Sequence, residues 1–297
     1  MFNQPLVSIV MIIYNAEKFL RDAIDSVFSQ TSDKWELLLV DDGSTDGSAE
    51  IAQEYCEANP ETVHYFEHEG HQNRGMSASR NLGIRNAKGS FVALLDADDV
   101  WMPKTLEEQV EALESHPEAA MVYGPTLWWY SWSGKPEDQQ LDFVQPLRVE
   151  PDTLIRPPAL LTVFLLQEGS KPCGMLMRRG IVEEVGGFEE AFRGMYEDQV
   201  FCAKLCLKAP VYVSSTCWYK YRQHPDSCCS TAVRMEQHHS KRGRFLNWLE
   251  TYLSEKRVQN TELWQALRKE LWPYRHPSMH RLYGYTSYFF QTLKEIF

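Results

Sequence analysis

The sequence carries no GxGxxG after its first apolar run and no GxxxxGK[ST] anywhere, so two common glycine-rich phosphate cradles are absent. The turn after that run is Tyr14-Asn15-Ala16-Glu17, without a glycine, which argues against a dinucleotide-dependent oxidoreductase. Positive charge is scarce: 30 Lys+Arg stand against 41 Asp+Glu, a net charge of −11. Such a balance argues against a nucleic-acid partner, because phosphate contacts need Lys/Arg surfaces. Long hydrophobic runs are missing too. The opening run Leu6–Ile13 is about eight residues, against the roughly 20 needed to span a bilayer. No basic stretch precedes it and no small-residue cleavage site follows, so it reads as a strand and the chain is expected to be cytoplasmic. The pairs Cys202/Cys206 and Cys228/Cys229 have no second Cys/His pair at zinc-finger spacing, and seven cysteines is an odd number, so reduced thiols are expected. There is no internal repeat and no low-complexity run.

What is present is an ordinary globular composition, 43% hydrophobic and 24% charged, over 297 residues. Charge is unevenly spread. From Thr231 to Phe297 there are 11 Lys+Arg and 6 Asp+Glu, which leaves 19 and 35 in residues 1–230. An acidic body therefore carries a basic tail with a surface of its own.

The first hundred residues alternate apolar runs with amphipathic stretches, the pattern of βαβ units and a mostly parallel sheet. Strands are expected at Leu6–Ile13, Trp35–Val40, Val63–Phe66 and Phe91–Leu95. Helices are expected at Ala16–Gln30, 47–57 and Met76–Ala87. Beyond Pro103 the spacing predicts a helix over Lys104–Ser115, a strand near Met121–Tyr130 and a Pro-punctuated loop over Ser131–Pro158. Met175–Arg179, a helix around Glu197–Lys208 and a strand near Val211–Arg222 complete the body. The tail after Ser230 is helical in pattern.

Three of the four N-terminal strands end in polar turns: Tyr14-Asn15-Ala16-Glu17, Asp41-Asp42-Gly43-Ser44 and Asp96-Ala97-Asp98-Asp99. A parallel sheet gathers such ends on one rim, where ligands of open α/β sheets bind. Asp96 and Asp98, one residue apart, can share a hard divalent cation with phosphate oxygens; the alternative is that Asp98 or Asp99 caps the next helix. Asp42 can accept from a base imide or ribose hydroxyls, or can form an Asx turn with Gly43. Arg80 can reach a phosphate or base, or sit on a helix surface as an ordinary arginine.

Taken together, VSIVMIIYNAEKFLRDAIDSVFSQT, LLLVDDGSTDGS and NRGMSASRNLGIRNAKGSFVALLDADDVWMP resemble glycosyltransferase family 2 in order and spacing. Gly186-Gly187-Phe188-Glu189-Glu190, Tyr196-Glu197-Asp198 and Tyr221-Arg222-Gln223-His224-Pro225-Asp226-Ser227 resemble that family's later blocks. The likeness covers about residues 5–230. It implies a GT-A fold over 1–230, with a nucleotide-sugar-binding half (1–101) and an acceptor-binding half (102–230), followed by a helical extension (231–297). It further implies an inverting, Mg²⁺- or Mn²⁺-dependent transfer from a nucleotide-sugar donor, UDP-linked by preference, to a saccharide, glycan or lipid-linked hydroxyl. By the same resemblance Tyr14, Asp42, Asn73, Arg80, Asp96 and Arg222 hold the donor, Asp98 and His224 bind the metal, and Asp198 is the general base. The sequence departs from the family where Ile12 and Ile13 precede Tyr14-Asn15, at positions where Pro or Thr is frequent.

Two other readings stay open. A nucleotidyltransferase would share the fold and acidic site, but would be expected to carry a Gly- and Arg/Lys-rich loop after the first strand. A silent binding scaffold would be favoured by loss of Asp98 or Asp198, and both are present. The tail aromatics Trp248, Trp264, Trp272, Tyr283, Tyr285, Phe289 and Phe290 either pack onto the body or form a surface for self-association or the inner membrane face; packing is the favoured expectation.

Overall fold

The computed structural model describes residues 5–166, 173–235 and 238–278. Its first half follows the sequence pattern closely: β1 (Val7–Ile13), α1 (Leu20–Phe28), β2 (Trp35–Asp41), α2 (Ser48–Ala58), β3 (Val63–Glu67), α3 (Met76–Asn86) and β4 (Phe91–Leu94). Strands β3, β2, β1 and β4 lie side by side in that order, all parallel. On α1, Leu20, Ala23, Ile24 and Val27 recur at helical spacing and are fully buried. The helix begins four residues later than its apolar pattern suggests. Ahead of it, the backbone N–H groups of Ala16 and Glu17 donate to the Ser48 hydroxyl and the Asp46 carboxylate of the neighbouring turn. Helix α3 lies close on β1 because residue 83 is glycine. A Cβ there would stand 2.4 Å from Val10 Cγ1.

The second half comprises β5 (Val100–Trp101), α4 (Thr105–Ser115), β6 (Met121–Tyr123), β7 (Thr126–Trp129), β8 (Phe143–Val144), β9 (Thr153–Ile155), α5 (Ala159–Leu166), β10 (Leu176–Arg178), α6 (Arg179–Glu184), α7 (Glu197–Lys208), β11 (Val211–Val213) and β12 (Tyr219–Arg222). The large sheet runs β3-β2-β1-β4-β10-β6-β11-β9, with β10 and β9 reversed. A smaller sheet runs β5-β12-β7-β8.

The strands expected at Met121–Tyr130 and Val211–Arg222 are each two strands in two different sheets. Gly124-Pro125 divides the first, and a Cβ at Gly124 would stand 2.1 Å from the Thr216 carbonyl oxygen. That close crossing lets both chains leave the large sheet together. The loop expected over Ser131–Pro158 contains β8 and β9. Helix α5 was not foreseen, because Ala159–Leu166 is apolar at all but one position and so has no period to read.

The tail is helical: α8 (Cys228–Arg234), α9 (His238–Glu255) and α10 (Thr261–Arg275). Phe245, Leu246, Leu249, Leu253, Leu263, Leu267 and Leu271 join one buried cluster with Leu160, Leu161, Val200 and Phe201 of the body. Trp248 stacks on Tyr252 at 4.9 Å and meets Phe192 edge-on at 6.0 Å, and the Trp264 indole donates to the Val258 carbonyl. These aromatics pack. Tyr283, Tyr285, Phe289 and Phe290 lie outside the described residues. Among the described residues no helix is long and apolar enough to cross a membrane.

The Gly83 contact is a test of this packing. Gly83→Val should lower stability by roughly 1–3 kcal/mol through overpacking against Val10, read as a reduced urea midpoint.

Candidate active site

The segment Asp96–Asp99 leaves β4 of the large sheet and enters β5 of the small one. Strand β12 runs antiparallel beside β5, with Tyr219 opposite Trp101, and so carries Arg222 and His224 to the acidic segment. Asp99 fastens the two together. Its buried carboxylate accepts from the Arg222 N–H (2.7 Å) and the Tyr219 hydroxyl (2.6 Å). Burial, then the charges of Asp98 and Asp96, push Asp99 well above the usual carboxylate range.

Arg222 is buried. Its Nε donates to the Asp98 carbonyl (2.7 Å) and Nη2 to Asp22 (3.0 Å), while the guanidinium lies 4.7 Å from the Trp129 ring and 4.8 Å from Phe19. His224 Nε2 stands 2.9 Å from an Asp98 carboxylate oxygen, and its Nδ1 is buried without a partner. A separation of about 3 Å suits two adjacent ligands on one six-coordinate ion with bonds of roughly 2.1 Å. The residues present therefore fit a divalent cation held by Asp98 and His224. Among the described residues no third His, Cys, Asp or Glu closes the set, so water and diphosphate oxygens would fill the remaining positions.

Arg80, expected to contact the donor, is buried beneath the rim. Its Nη2 donates to Asp96 and its Nη1 to Glu197, each at 2.9 Å, and its guanidinium lies 5.3 Å from the Phe188 ring. The polar face of α3 holds the whole segment that leads into α7. Asn81 pairs with the backbone of Phe188 in both directions, and the Ser77 hydroxyl donates to the Phe192 carbonyl. Those residues lie in two motifs far apart in sequence, and only the pairing of α3 with the 186–196 segment reveals their partnership.

Asp42, expected to meet a base or ribose, is buried and accepts from the Arg74 N–H (2.7 Å) and Gly75 N–H (2.9 Å). Asp41 serves the turn, accepting from the Ser44 N–H at 2.9 Å. Gly43 has φ +79°, and a Cβ there would stand 2.8 Å from the Asn73 N atom. Loop 71–75 therefore folds directly over the end of β2, leaving Asn73 and Tyr14 exposed on the rim. Asp96 is 44% exposed and Asp98 29%.

Helix α7 starts at Glu197, after Tyr196 in a left-handed conformation (φ +77°). Glu197 faces Arg80. Burial and then the adjacent Asp198 push its carboxyl up to about 7, against the pull of Arg80. Asp198 is half-buried and accepts from the Gln199 N–H at 2.8 Å. The sequence reading missed Glu197 as the partner of Arg80 and Asp22 as that of Arg222.

A parallel half-sheet with an acidic segment at its rim, crossing into a small second sheet, is the GT-A fold. Residues 8–186 match the profile of Glycosyl transferase family 2, and the chain belongs to that family. Among curated proteins, "Putative teichuronic acid biosynthesis glycosyltransferase TuaG" of Bacillus subtilis (strain 168) is 41% identical over 110 residues, 36% of this chain and 42% of that protein. An uncharacterized glycosyltransferase of Rickettsia felis is 30% identical over 225 residues, 75% of this chain and 35% of that protein. The matches thus span less than half the length of these relatives. Among solved structures, S. aureus TarS 1-349 in complex with UDP superposes with a TM-score of 0.67 at 21% identity, covering 94% of this chain and 74% of that one. The Pyrobaculum calidifontis mannosyltransferase PcManGT, solved with GDP-Man and Mn²⁺, gives 0.61 at 19%, covering 91% and 70%.

Two measurements probe the buried charges. Arg80→Met leaves Glu197 buried and unpaired and should cost about 3–5 kcal/mol in denaturant unfolding. Glu197 is held above its unfolded pKa, so the folded chain keeps a proton the unfolded chain has lost. Its stabilising contribution is full at acid pH and is lost as pH rises through about 7. Wild type should therefore lose stability relative to Glu197→Gln between pH 5 and pH 8, compared by urea midpoints.

Proposed function

We propose that this chain is an inverting glycosyltransferase that moves a sugar from a nucleotide-sugar donor, UDP-linked by preference, to a hydroxyl of a saccharide, glycan or lipid-linked acceptor. The observation that carries the reading is the meeting of Asp96, Asp98 and His224, from two sheets, on a rim that Arg80 ties to the start of α7. Asp98 and His224 would hold Mg²⁺ or Mn²⁺, which supplies charge neutralisation for the departing diphosphate. The TarS structure with UDP supports a nucleotide-linked donor, and the PcManGT structure with GDP-Man and Mn²⁺ supports a divalent ion beside it.

The remaining steps belong to the chain itself. Tyr14 and Asn73 line the exposed edge of the donor site, and Asp42 acts by fixing loop 71–75 there. Asp96 orients the donor from its partly exposed position. Arg222 acts by setting the backbone of Asp98. Asp198 takes the proton from the acceptor hydroxyl as that oxygen bonds to the anomeric carbon. The bond from that carbon to the diphosphate oxygen breaks with its electron pair on the diphosphate, so configuration inverts. The Glu197 carboxyl, held by Arg80, places Asp198 at the first turn of α7.

Asp198→Asn should keep UDP affinity while lowering turnover by roughly 10²–10⁴. Asp98→Ala should weaken metal-dependent UDP binding instead. Calorimetric titration of UDP, GDP and dTDP, each with Mn²⁺ and with EDTA, checks the affinities, and release of UDP from a UDP-sugar checks the turnover. One nucleotide bound only with the ion supports the reading, whereas no nucleotide bound in either condition refutes it.

A further inference from the structure

The His224 imidazole is held in an uncommon way. A histidine that ligates a metal through one ring nitrogen ordinarily donates its other N–H to a carboxylate or a carbonyl. That bond fixes both the tautomer and the orientation of the ring. Here Nε2 faces Asp98 at 2.9 Å, yet Nδ1 is buried and has no hydrogen-bond partner among the described residues. The side chain is only 6% exposed, so something other than a hydrogen bond must keep the ring from turning about its side-chain torsions.

The ring packed against it is Phe19. The two ring centroids lie 4.6 Å apart, with the planes tilted by 52°. Phe19 directly precedes α1 and is itself fixed. It is 8% exposed, its N–H donates to the Ala16 carbonyl at 2.8 Å, and its own carbonyl accepts from the Ala23 N–H at 3.1 Å. Trp132 meets the Phe19 ring edge-on at 5.4 Å, and the Trp132 indole donates to the carbonyl of Gln223, the residue before His224. The Lys18 ammonium lies 5.0 Å from each of these two rings.

The turn after β1 therefore braces the end of β12 at two points. Asp22 of α1 accepts from Arg222, and the Phe19 ring meets His224. A flat, rigid ring limits how far a neighbouring imidazole can swing, whereas an aliphatic chain of similar bulk offers no flat surface to lie against. For a metal ligand the orientation of the ring matters as much as its presence, because the Nε2 lone pair must point at the ion.

We propose that Phe19 is a positioning residue of the metal site, the ring that keeps His224 Nε2 directed at the ion where no bond at Nδ1 does so. The inference rests on the reading of Asp98 and His224 as the protein ligands of that ion. Phe19 also lies 4.8 Å from the Arg222 guanidinium, which sets the Asp98 backbone, so the test has to separate the two routes.

A double-mutant cycle on ion binding does so, without reference to turnover. Wild type, Phe19→Leu, His224→Ala and the double variant are each titrated with Mn²⁺ in the presence of UDP. Free ion is read from its EPR signal and folding from the urea midpoint. Phe19→Leu should lower Mn²⁺ affinity by about tenfold, the lower end of the loss when a metal ligand is deprived of its outer support. In the His224→Ala background the same change should shift the affinity by less than about twofold, because the ring that Phe19 orients is gone. Unchanged Mn²⁺ affinity in Phe19→Leu overturns the proposal. An equal loss in both backgrounds also overturns it, since the effect would then run through Arg222 and Asp98. Should Phe19→Leu fail to fold, Phe19→Met refills the space with a flexible chain, and the same outcomes decide. A wild type that binds no Mn²⁺ with UDP present would remove the metal reading and this inference with it. That result is distinct from an intact wild-type ion site that is indifferent to Phe19.

Discussion

The Arg80 guanidinium is the interaction on which the rest of the site depends. It is buried between a carboxylate at the exit of β4 and another at the entry of α7, with a bond of 2.9 Å to each. The Glu197 carboxylate could not be drawn inward alone, since an unpaired buried charge is among the costliest features a fold can hold, and Asp96 meets the same guanidinium from the partly exposed rim. One cation with two forks resolves this, and the planar geometry of arginine, which lysine lacks, sets the angle between the two elements. The acidic segment and the start of α7 are therefore positioned relative to one another by a single side chain on a third element, α3.

A second arginine repeats the device on the other sheet. Arg222 reaches the Asp98 carbonyl and Asp22 while lying against Phe19 and Trp129. Its own N–H is taken by Asp99, which also receives the Tyr219 hydroxyl. The crowding of Asp96, Asp98 and Asp99 would repel on its own. The two guanidiniums, the Tyr219 hydroxyl and a backbone N–H distribute that charge, and leave Asp96 and Asp98 as the partly exposed carboxylates of the segment. A cation bound by Asp98 and His224 would enter a site whose surroundings already tolerate negative charge.

Much of this was legible in the sequence, for a physical reason. Three of the four parallel strands, β1, β2 and β4, are buried on both faces, so they read as unbroken apolar runs, and their polar exits Asn15, Asp42 and Asp96 stand out against them. The second half was harder because its strands are only two to four residues long and change sheets within a few residues. Met121–Tyr123 and Thr126–Trp129 look like one strand until Gly124-Pro125 is seen to carry the chain from one sheet to the other. Helix α5 hid in a run with no polar face. The sequence singled out Arg80, Asp42 and Arg222 by type and position, but not the partners that hold them. Nothing local to Arg80 reveals that it faces inward to Glu197, 117 residues away, instead of outward to a ligand. Asp42 likewise spends its carboxylate on backbone amides that sequence adjacency cannot predict.

The clamp of Asp42 on Arg74 and Gly75 bears on the thermodynamics of recognition. Loop 71–75 is fastened at its amides by that carboxylate and at its carbonyls by Arg193, which donates to Asn73 and Arg74. A ligand arriving over it would meet a surface whose conformational entropy was surrendered during folding, not at the encounter. Association at such an edge would be enthalpically weaker in its loop contacts than a mobile loop could achieve by wrapping. It would also be quicker and less temperature-sensitive, because the edge of the site is built before the ligand comes.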